Sequence, residues 1–440
     1  MKKFLIFLAM PAVLWPAFSL AENPRGASQA RELLIVYSGN TLGELKPCGC
    51  AKEEDQGGVE RRMSYLEKVK GREKNLLLVD AGDNFKEPTR QGRVKARFLL
   101  RAMAKMGYDA VLPGEHDFVY GKELMDERKN FPWILSNMEF RSVPWPVMQF
   151  KRFDNKLKVA LLAVADPGLF AGVKHSGSRV ADPEKTVRSL LKIIEGPEKP
   201  DLVVLLTHME REAALALLNL DGVDVIVNGH IGKDTDLIDM TPVRKGEKIL
   251  VQPGPRGQKM GELRVRIDAR GGKTFQQKTV RLDSQFPLDP DMAKLYDEYN
   301  GKIEELFFAS LSARKDKNSK KVYATEKKCQ SCHAEAHRTW VNSRHGHAYA
   351  TLRKINKAFD PECLTCHVTG FNRPGGFVSE IDTPGLENVQ CEVCHGPALQ
   401  HVQAPGKGFG LDPRQACKTC HVKNHSPRFN YEKYWPKIKH

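Results

Sequence analysis

The sequence predicts a layered α/β domain followed by a smaller domain of short helices and loops, and three observations predict it. Short apolar runs alternate with helical stretches between Glu32 and Leu282. Eight of the ten cysteines fall between Cys329 and Cys420. The charge is just as uneven: of the net +15 over 440 residues, +10 belongs to residues 311–440, where 21 Lys and Arg face 11 Asp and Glu. A chain of this length is expected to hold two or three domains. With 28% charged residues, 8% aromatics and a mean hydropathy of −0.46, a polytopic membrane protein is excluded, and 41% hydrophobic residues exclude a largely disordered chain.

Lys2 and Lys3, an apolar run over residues 4–20 and the small-residue pattern Ser19-Leu20-Ala21 predict a cleaved secretory signal over residues 1–21. Pro11 and Pro16 break the run, which is short for a membrane span, and no later stretch reaches about 18 uninterrupted apolar residues. The expected location is the periplasm or the extracellular space, with no stable membrane span.

Residues 30–285 form the predicted α/β domain. Its strand candidates are the runs 33–37, 75–80, 110–112, 133–135, 159–163, 202–206, 223–227, 249–251 and 263–267, several of which end in polar residues or glycine. Functional groups at the carboxyl ends of strands are the signature of α/β sites. Those ends read Asp80-Ala-Gly-Asp83, Gly114-Glu-His-Asp117, Thr207-His208 and Asn228-Gly-His230, followed by Val251-Gln-Pro-Gly254. In this order they resemble the calcineurin-like metallophosphoesterases, in the UDP-sugar hydrolase/5'-nucleotidase branch. The resemblance implies a four-layer αββα sandwich, two metals on loops after strands, and a metal-activated water that attacks phosphorus.

The sequence departs from that family at the first metal. Its opening Asp-x-His is here Thr41-Leu42-Gly43, and its closing Gly-His-x-His is Gly229-His230-Ile231-Gly232. Asp83, His208 and His230 remain, with Glu115 where the family has Asn. Two carboxylates and two imidazoles suit one divalent ion, Mn, Fe or Zn. His116 matches the family's catalytic histidine.

Pro47-Cys48-Gly49-Cys50 follows in the same loop. A Cys-x-Cys pair can close into a strained, easily reduced disulfide, supply two thiolate ligands, or be inert. Its position after Gly43 favours a redox role for Cys48 and Cys50, with Arg61 or Arg62 placed to lower a thiol pKa. The sequence resembles a branch of the phosphoesterase superfamily in which such a loop accompanies lost metal ligands.

Residues 286–321 are predicted as an amphipathic helix, with Met292, Leu295, Tyr296, Tyr299, Ile303, Leu306 and Phe307 on one stripe, and a basic linker.

Residues 322–440 read Cys-x-x-Cys-His four times: Cys329-Gln-Ser-Cys332-His333, Cys363-Leu-Thr-Cys366-His367, Cys391-Glu-Val-Cys394-His395 and Cys417-Lys-Thr-Cys420-His421. Two thiols at this spacing reach the two vinyl groups of a porphyrin, and the next imidazole meets the iron from the same side. Zinc ribbons and disulfides use paired cysteines too, but neither requires the histidine. Four haem c are expected, with His333, His367, His395 and His421 as proximal ligands, and the porphyrins form the core of this domain. All twelve methionines lie at or before Met292, so distal ligands within the domain must be histidines, which predicts low potentials. His337, His345, His347, His401, His425 and His440 compete for four places, with His347, His401 and His440 favoured and His345 next.

The run Trp340 to Leu352, the second and third motifs, His401 after His395 and the ending Tyr434-Trp-Pro-Lys-Ile-Lys-His440 look like the tetrahaem cytochromes that take electrons from hydroxylamine oxidoreductase. That resemblance implies distal histidines at these spacings and allows one haem with an open site. Each ferric bis-His haem adds a net charge of about −1, so the basic excess is largely a counterweight to haem propionates and nucleic-acid binding is not expected. The sequence favours an exported electron-transfer oxidoreductase, with a redox partner protein such as another cytochrome or an oxidoreductase and a small-molecule substrate. A metal-dependent hydrolase with an appended cytochrome and a non-enzymatic electron conduit are the alternatives.

Overall fold

The computed structural model describes residues 30–47, 55–86, 88–139, 145–172, 179–196, 199–232, 239–317, 320–423 and 425–440. The predicted signal and Cys48 and Cys50 lie outside the described residues.

In chain order the strands are β1 (Arg31–Ser38), β2 (Leu76–Asp80), β3 (Ala110–Val111), β4 (Met138–Glu139), β5 (Met148–Arg152), β6 (Lys158–Ala165), β7 (Arg179–Val180), β8 (Leu202–His208), β9 (Val225–Asn228), β10 (Val243–Lys245), β11 (Lys248–Val251), β12 (Lys259–Ile267) and β13 (Lys273–Arg281). The helices that flank them are α1 (Val59–Arg72), α2 (Arg90–Met106), α3 (Lys122–Asp126), α4 (Pro183–Ile194), α5 (Arg211–Leu217) and α6 (Pro290–Ala309).

Two mixed sheets make the centre. The first runs β13-β12-β1-β2-β3 and the second β10-β11-β9-β8-β6-β5, with β4 and β7 as a separate pair. Strand periodicity decides which layer each side chain joins. Along β6, Val159, Leu161, Ala163 and Ala165 face the core shared with the first sheet, while Ala160, Leu162 and Val164 pack with Val187, Leu190, Leu191 and Ile194 of α4 and with Ala214 and Leu217 of α5. On the other side α6 packs on α1 and α2 against the first sheet. The order helix, sheet, sheet, helix is the expected αββα sandwich. Each fully buried Leu, Ile or Val in it contributes about 1.5–3 kcal/mol of hydrophobic stabilisation.

Caps set the helix starts. Thr89 Oγ1 accepts from Gly92 N at 2.9 Å ahead of α2, Asp182 from Lys185 N at 2.8 Å ahead of α4, and Asp289 from Met292 N at 2.8 Å ahead of α6. Pro183 and Pro290 supply the first-turn proline. The helix expected in 287–311 is therefore α6, with Met292, Leu295, Tyr299, Ile303 and Phe307 buried. The segment 133–135, expected as a strand, makes only an isolated bridge between Val111 and Trp133.

The C-terminal region consists of short helices and turns. The first three haem motifs fall on or beside the helices Glu326–Gln330, Pro361–His367 and Cys391–His395, and the fourth ends the helix Pro413–Cys420. Tyr349, Leu352, Phe359, Leu364, Val368, Phe371, Phe377 and Leu386 join the same hydrophobic cluster as the sandwich. No described helix is long and apolar enough to cross a membrane.

Candidate metal centre and haem-attachment sites

Four strand ends converge between the two sheets. Asp83 follows β2, Glu115 follows β3, His208 ends β8 and His230 follows β9. One donor atom from each lies within 4.8 Å of all the others. His208 Nε2 is 2.7 Å from Glu115 Oε2 and 3.5 Å from Asp83 Oδ2, and His230 Nδ1 is 3.5 Å from Glu115 Oε1. Asp83, His208 and His230 are buried, and Glu115 is partly so.

Local folding explains the convergence. Asp83 has a left-handed backbone, φ 58°, and its loop is held by Asp117, whose carboxylate accepts from the backbone N–H of Asp83, Asn84, Phe85 and Gly114 at 2.8–3.1 Å. Asp80, fully buried, accepts from Ser38 Oγ at 2.6 Å and Asn84 Nδ2 at 2.7 Å. At Gly229 the two sheets touch: a Cβ there would meet the Ala81 carbonyl carbon at 2.6 Å, so only glycine lets His230 approach.

The donor chemistry fits a divalent ion. Nδ1 of His208 lies 2.9 Å from the Ala81 carbonyl oxygen and donates to it, leaving Nε2 as the ligand atom. His230 Nδ1 is buried without a hydrogen-bond partner. Burial would raise the Glu115 pKa, but His208 and His230 outweigh it and hold the carboxyl well below its ordinary range. Burial would lower His208, yet Asp83 and Glu115 push it well above its ordinary value. The four residues thus make a compact cluster of opposite charges in which an ion would replace a proton. His116 stands at the rim, half-exposed, with Nε2 4.0 Å from Glu115 Oε1 and its backbone N–H donating to Asp83 Oδ1 at 3.1 Å.

Thr41 Oγ1 accepts from Arg62 Nη2 at 3.1 Å. Arg62 is fully buried and Arg61 pairs with Asp55 at 3.0 Å, while the thiols the sequence places near them, Cys48 and Cys50, lie outside the described residues. Glu210, 3.4 Å from His230 Nε2, is a neighbour of the site that no motif marks.

Among the described residues of the C-terminal domain, three pairs of imidazoles lie near each other. Ring centres are 6.4 Å apart for His333 and His401, 6.1 Å for His345 and His421, and 5.8 Å for His395 and His440. Two imidazoles bound at about 2 Å to one metal from opposite sides hold their ring centres roughly 6 Å apart. Burial pushes His345, His395 and His421 down in pKa, with His421 adding to the effect on His345 and His440 and His333 on His395, so these rings are neutral, the ligating form. His440 Nδ1 donates to Ile438 O at 2.9 Å and His367 Nδ1 to Ala348 O at 2.8 Å, turning Nε2 of each outward. His347, favoured from sequence, is exposed, and His337 is paired with Glu326 at 2.7 Å. None of Cys329, Cys332, Cys363, Cys366, Cys391, Cys394, Cys417 and Cys420 is joined in a disulfide. The residues fit haem c.

The fold and its two sites define a metallophosphoesterase-like sandwich joined to a c-type cytochrome domain. Residues 55–234 match the calcineurin-like phosphoesterase family and residues 328–396 match the cytochrome c554 and c-prime family. Cytochrome c-554 of Nitrosomonas europaea is 36% identical over 105 residues, covering 20% of this chain and 41% of that protein. The 5'-nucleotidase of Homo sapiens is 24% identical over 338 residues, covering 68% of this chain and 56% of its own. Among solved structures, a 5'-nucleotidase precursor of Thermus thermophilus superimposes with a TM-score of 0.56 at 20% identity, over 67% of this chain and 61% of that one. The chain spans little more than half, or less, of these curated relatives. It carries a 5'-nucleotidase-like metallophosphoesterase domain followed by a cytochrome c554 domain, which implies divalent metal in the first and haem c in the second.

Proposed function

We propose that the chain is an exported electron-transfer oxidoreductase, a tetrahaem wire seated on a phosphoesterase-like domain that binds one divalent metal. The observation that carries this reading is the set of three imidazole pairs at bis-histidine spacing. Those six imidazoles would hold the haems on the first, third and fourth motifs, and His367 would hold the haem on the second. Histidine ligation of this kind would set low potentials at the paired sites.

The reacting partner on the sandwich is the pair Cys48 and Cys50. Oxidation of two thiols to a disulfide releases two protons and two electrons, and two ferric haems take one electron each; reduction runs the reverse way. Support comes from the loop ahead of the pair, which is tied to the metal loop by Leu42 N to Asp83 O at 3.0 Å and Gly43 N to Asn84 O at 2.7 Å. The donor or acceptor outside the chain is another cytochrome or oxidoreductase, in the periplasm or outside the cell. Stopped-flow mixing of reduced and oxidised holoprotein with small sulfur, selenium and nitrogen species tests this. Haem bands should respond in the wild type and not in Cys50→Ser; equal rates in both would end the thiol reading.

A second reading is a metal-dependent hydrolase, favoured by the Asp83, Glu115, His208 and His230 set. When bound, a divalent ion supplies Lewis-acid polarisation of an ester oxygen. His116, half-exposed at the rim, would give a proton to a leaving group. Turnover of a generic phosphodiester that disappears in His116→Ala would establish this activity.

A further inference from the structure

The attachment helix of the second motif, Pro361–His367, is held from the phosphoesterase-like side of the chain. Its N-cap is Asp360, whose Oδ1 accepts from Glu362 N at 3.1 Å. The same oxygen accepts from Gln91 Nε2 of α2 at 2.8 Å, and Gln91 also reaches Tyr299 Oη of α6 at 3.0 Å. One turn further along α2, Lys95 Nζ pairs with Glu362 Oε2 at 2.6 Å. Lys357 completes the seam, pairing with Asp360 at 3.1 Å and donating to Asn300 of α6. Gln91 and Asp360 are both buried, and the Lys95 side chain is only 17% exposed. Cys363 packs directly against the hydrophobic cluster that fills the sandwich.

The other attachment helices have local supports. Glu392, in the third motif, accepts from the backbone of Ala324, Thr325 and Ala398 at 2.7–2.9 Å, and Asp412 caps the helix of the fourth by accepting from Arg414 N at 3.0 Å. Both sets belong to the cytochrome domain. The second motif differs in that side chains of α2, far earlier in the sequence, hold the residues on either side of Pro361.

We infer that Gln91 and Lys95 are positioning residues for the haem carried by Cys363, Cys366 and His367, seating its attachment helix on the phosphoesterase-like domain and setting its reduction potential. This haem is the one at the domain junction. The inference rests on the reading that the second motif holds a haem. Reduction adds one negative charge, so a fixed cation nearby favours the ferrous form and a fixed anion the ferric form. Lys95 and Glu362 therefore act in opposite directions on one centre. Because the pair is largely desolvated on the Lys95 side, salt screens it less than a surface pair.

The test is a spectroelectrochemical titration of the full-length holoprotein in three forms: wild type, Lys95→Met and Glu362→Gln. A Cys363→Ala, Cys366→Ala double variant identifies which potential belongs to the second motif. Lys95→Met should lower that potential and Glu362→Gln should raise it, while the other three stay in place. Opposite signs separate a charge effect from damage to the seam, which would move both variants the same way. Unmoved potentials, shifts of the same sign, or a shift spread evenly over all haems would overturn the inference. Mass spectrometry of the peptide containing Cys363 to His367 checks the underlying reading separately: a peptide without haem mass overturns that reading, whatever the titration shows.

Discussion

Nδ1 of His208 lies 2.9 Å from the carbonyl oxygen of Ala81, the residue that follows β2. This hydrogen bond across the two sheets fixes the tautomer: the proton sits on Nδ1 and Nε2 is turned toward Asp83 and Glu115. A metal ligand is thereby oriented before any metal arrives. The expected outcome is one equivalent of Mn, Fe or Zn per chain by elemental analysis. His208→Ala and Glu115→Gln should each weaken binding by tenfold or more, since even outer-shell partners of a metal are worth that much. Two equivalents in the wild type would refute a single site.

The imidazole pairs make a prediction about spin state. A haem with two axial imidazoles is low-spin, and loss of one opens the iron. His345→Ala, His401→Ala and His440→Ala should each convert one haem per chain to high spin in the electron paramagnetic resonance spectrum. His347→Ala should leave the spectrum as it is, because that side chain is exposed and belongs to none of the three ring pairs. A change in His347→Ala equal to that in His345→Ala would mean that the ring pairs do not report ligation.

Much of both sites was legible because their chemistry is local in sequence. Each Cys-x-x-Cys-His motif is complete within five residues, and Asp83, Glu115, His208 and His230 each follow an apolar run that ends where a strand ends. What could not be read depends on distant partners. His345 and His347 are two residues apart, and only the fold shows that His345 meets His421. β13 was missed because it is an edge strand, polar on its open side, with only Phe275 deeply buried. The segment 133–135 looked like a strand since Trp133, Ile134 and Leu135 are all apolar, but they are buried through packing in the main cluster rather than through a ladder. Nothing in a helix-start Arg-Arg pair signals that the second guanidinium, that of Arg62, is wholly buried beside Thr41.

A pH dependence follows from Arg31 and Asp201, which tie the start of β1 to the residue before β8 at 2.7 Å. Burial alone would raise the Asp201 pKa, but its bonds to Arg31 and to the Lys158 backbone N–H outweigh this and lower it. A carboxyl with a depressed folded-state pKa contributes stability above its unfolded value, about 3.9. That contribution is lost as the pH falls through the lower, folded value. Both side chains are partly exposed, so the pair is worth about 0.5 kcal/mol. Asp201→Asn should lower stability by that amount at neutral pH, and the gap between variant and wild type should close below pH of about 4 in denaturant titrations. A gap independent of pH would show that the charge is irrelevant.

Two glycine substitutions separate site geometry from stability. Gly114 has an extended backbone, φ −91° and ψ 178°, that alanine adopts without strain. A methyl group there would lie 2.7 Å from His208 Nε2 and against Asp83 Oδ1, in the space between two metal donors. Gly301 lies inside α6, where an added methyl meets nothing within 4 Å. Alanine is the better helix former by about 0.5–1 kcal/mol, so Gly301→Ala should raise stability by that amount. Gly114→Ala should instead abolish stoichiometric metal binding while the haem spectrum and far-ultraviolet circular dichroism are retained, because the obstruction is confined to the donors. Full metal occupancy in Gly114→Ala, measured by equilibrium dialysis, would mean that the ion binds outside the space between His208 and Asp83.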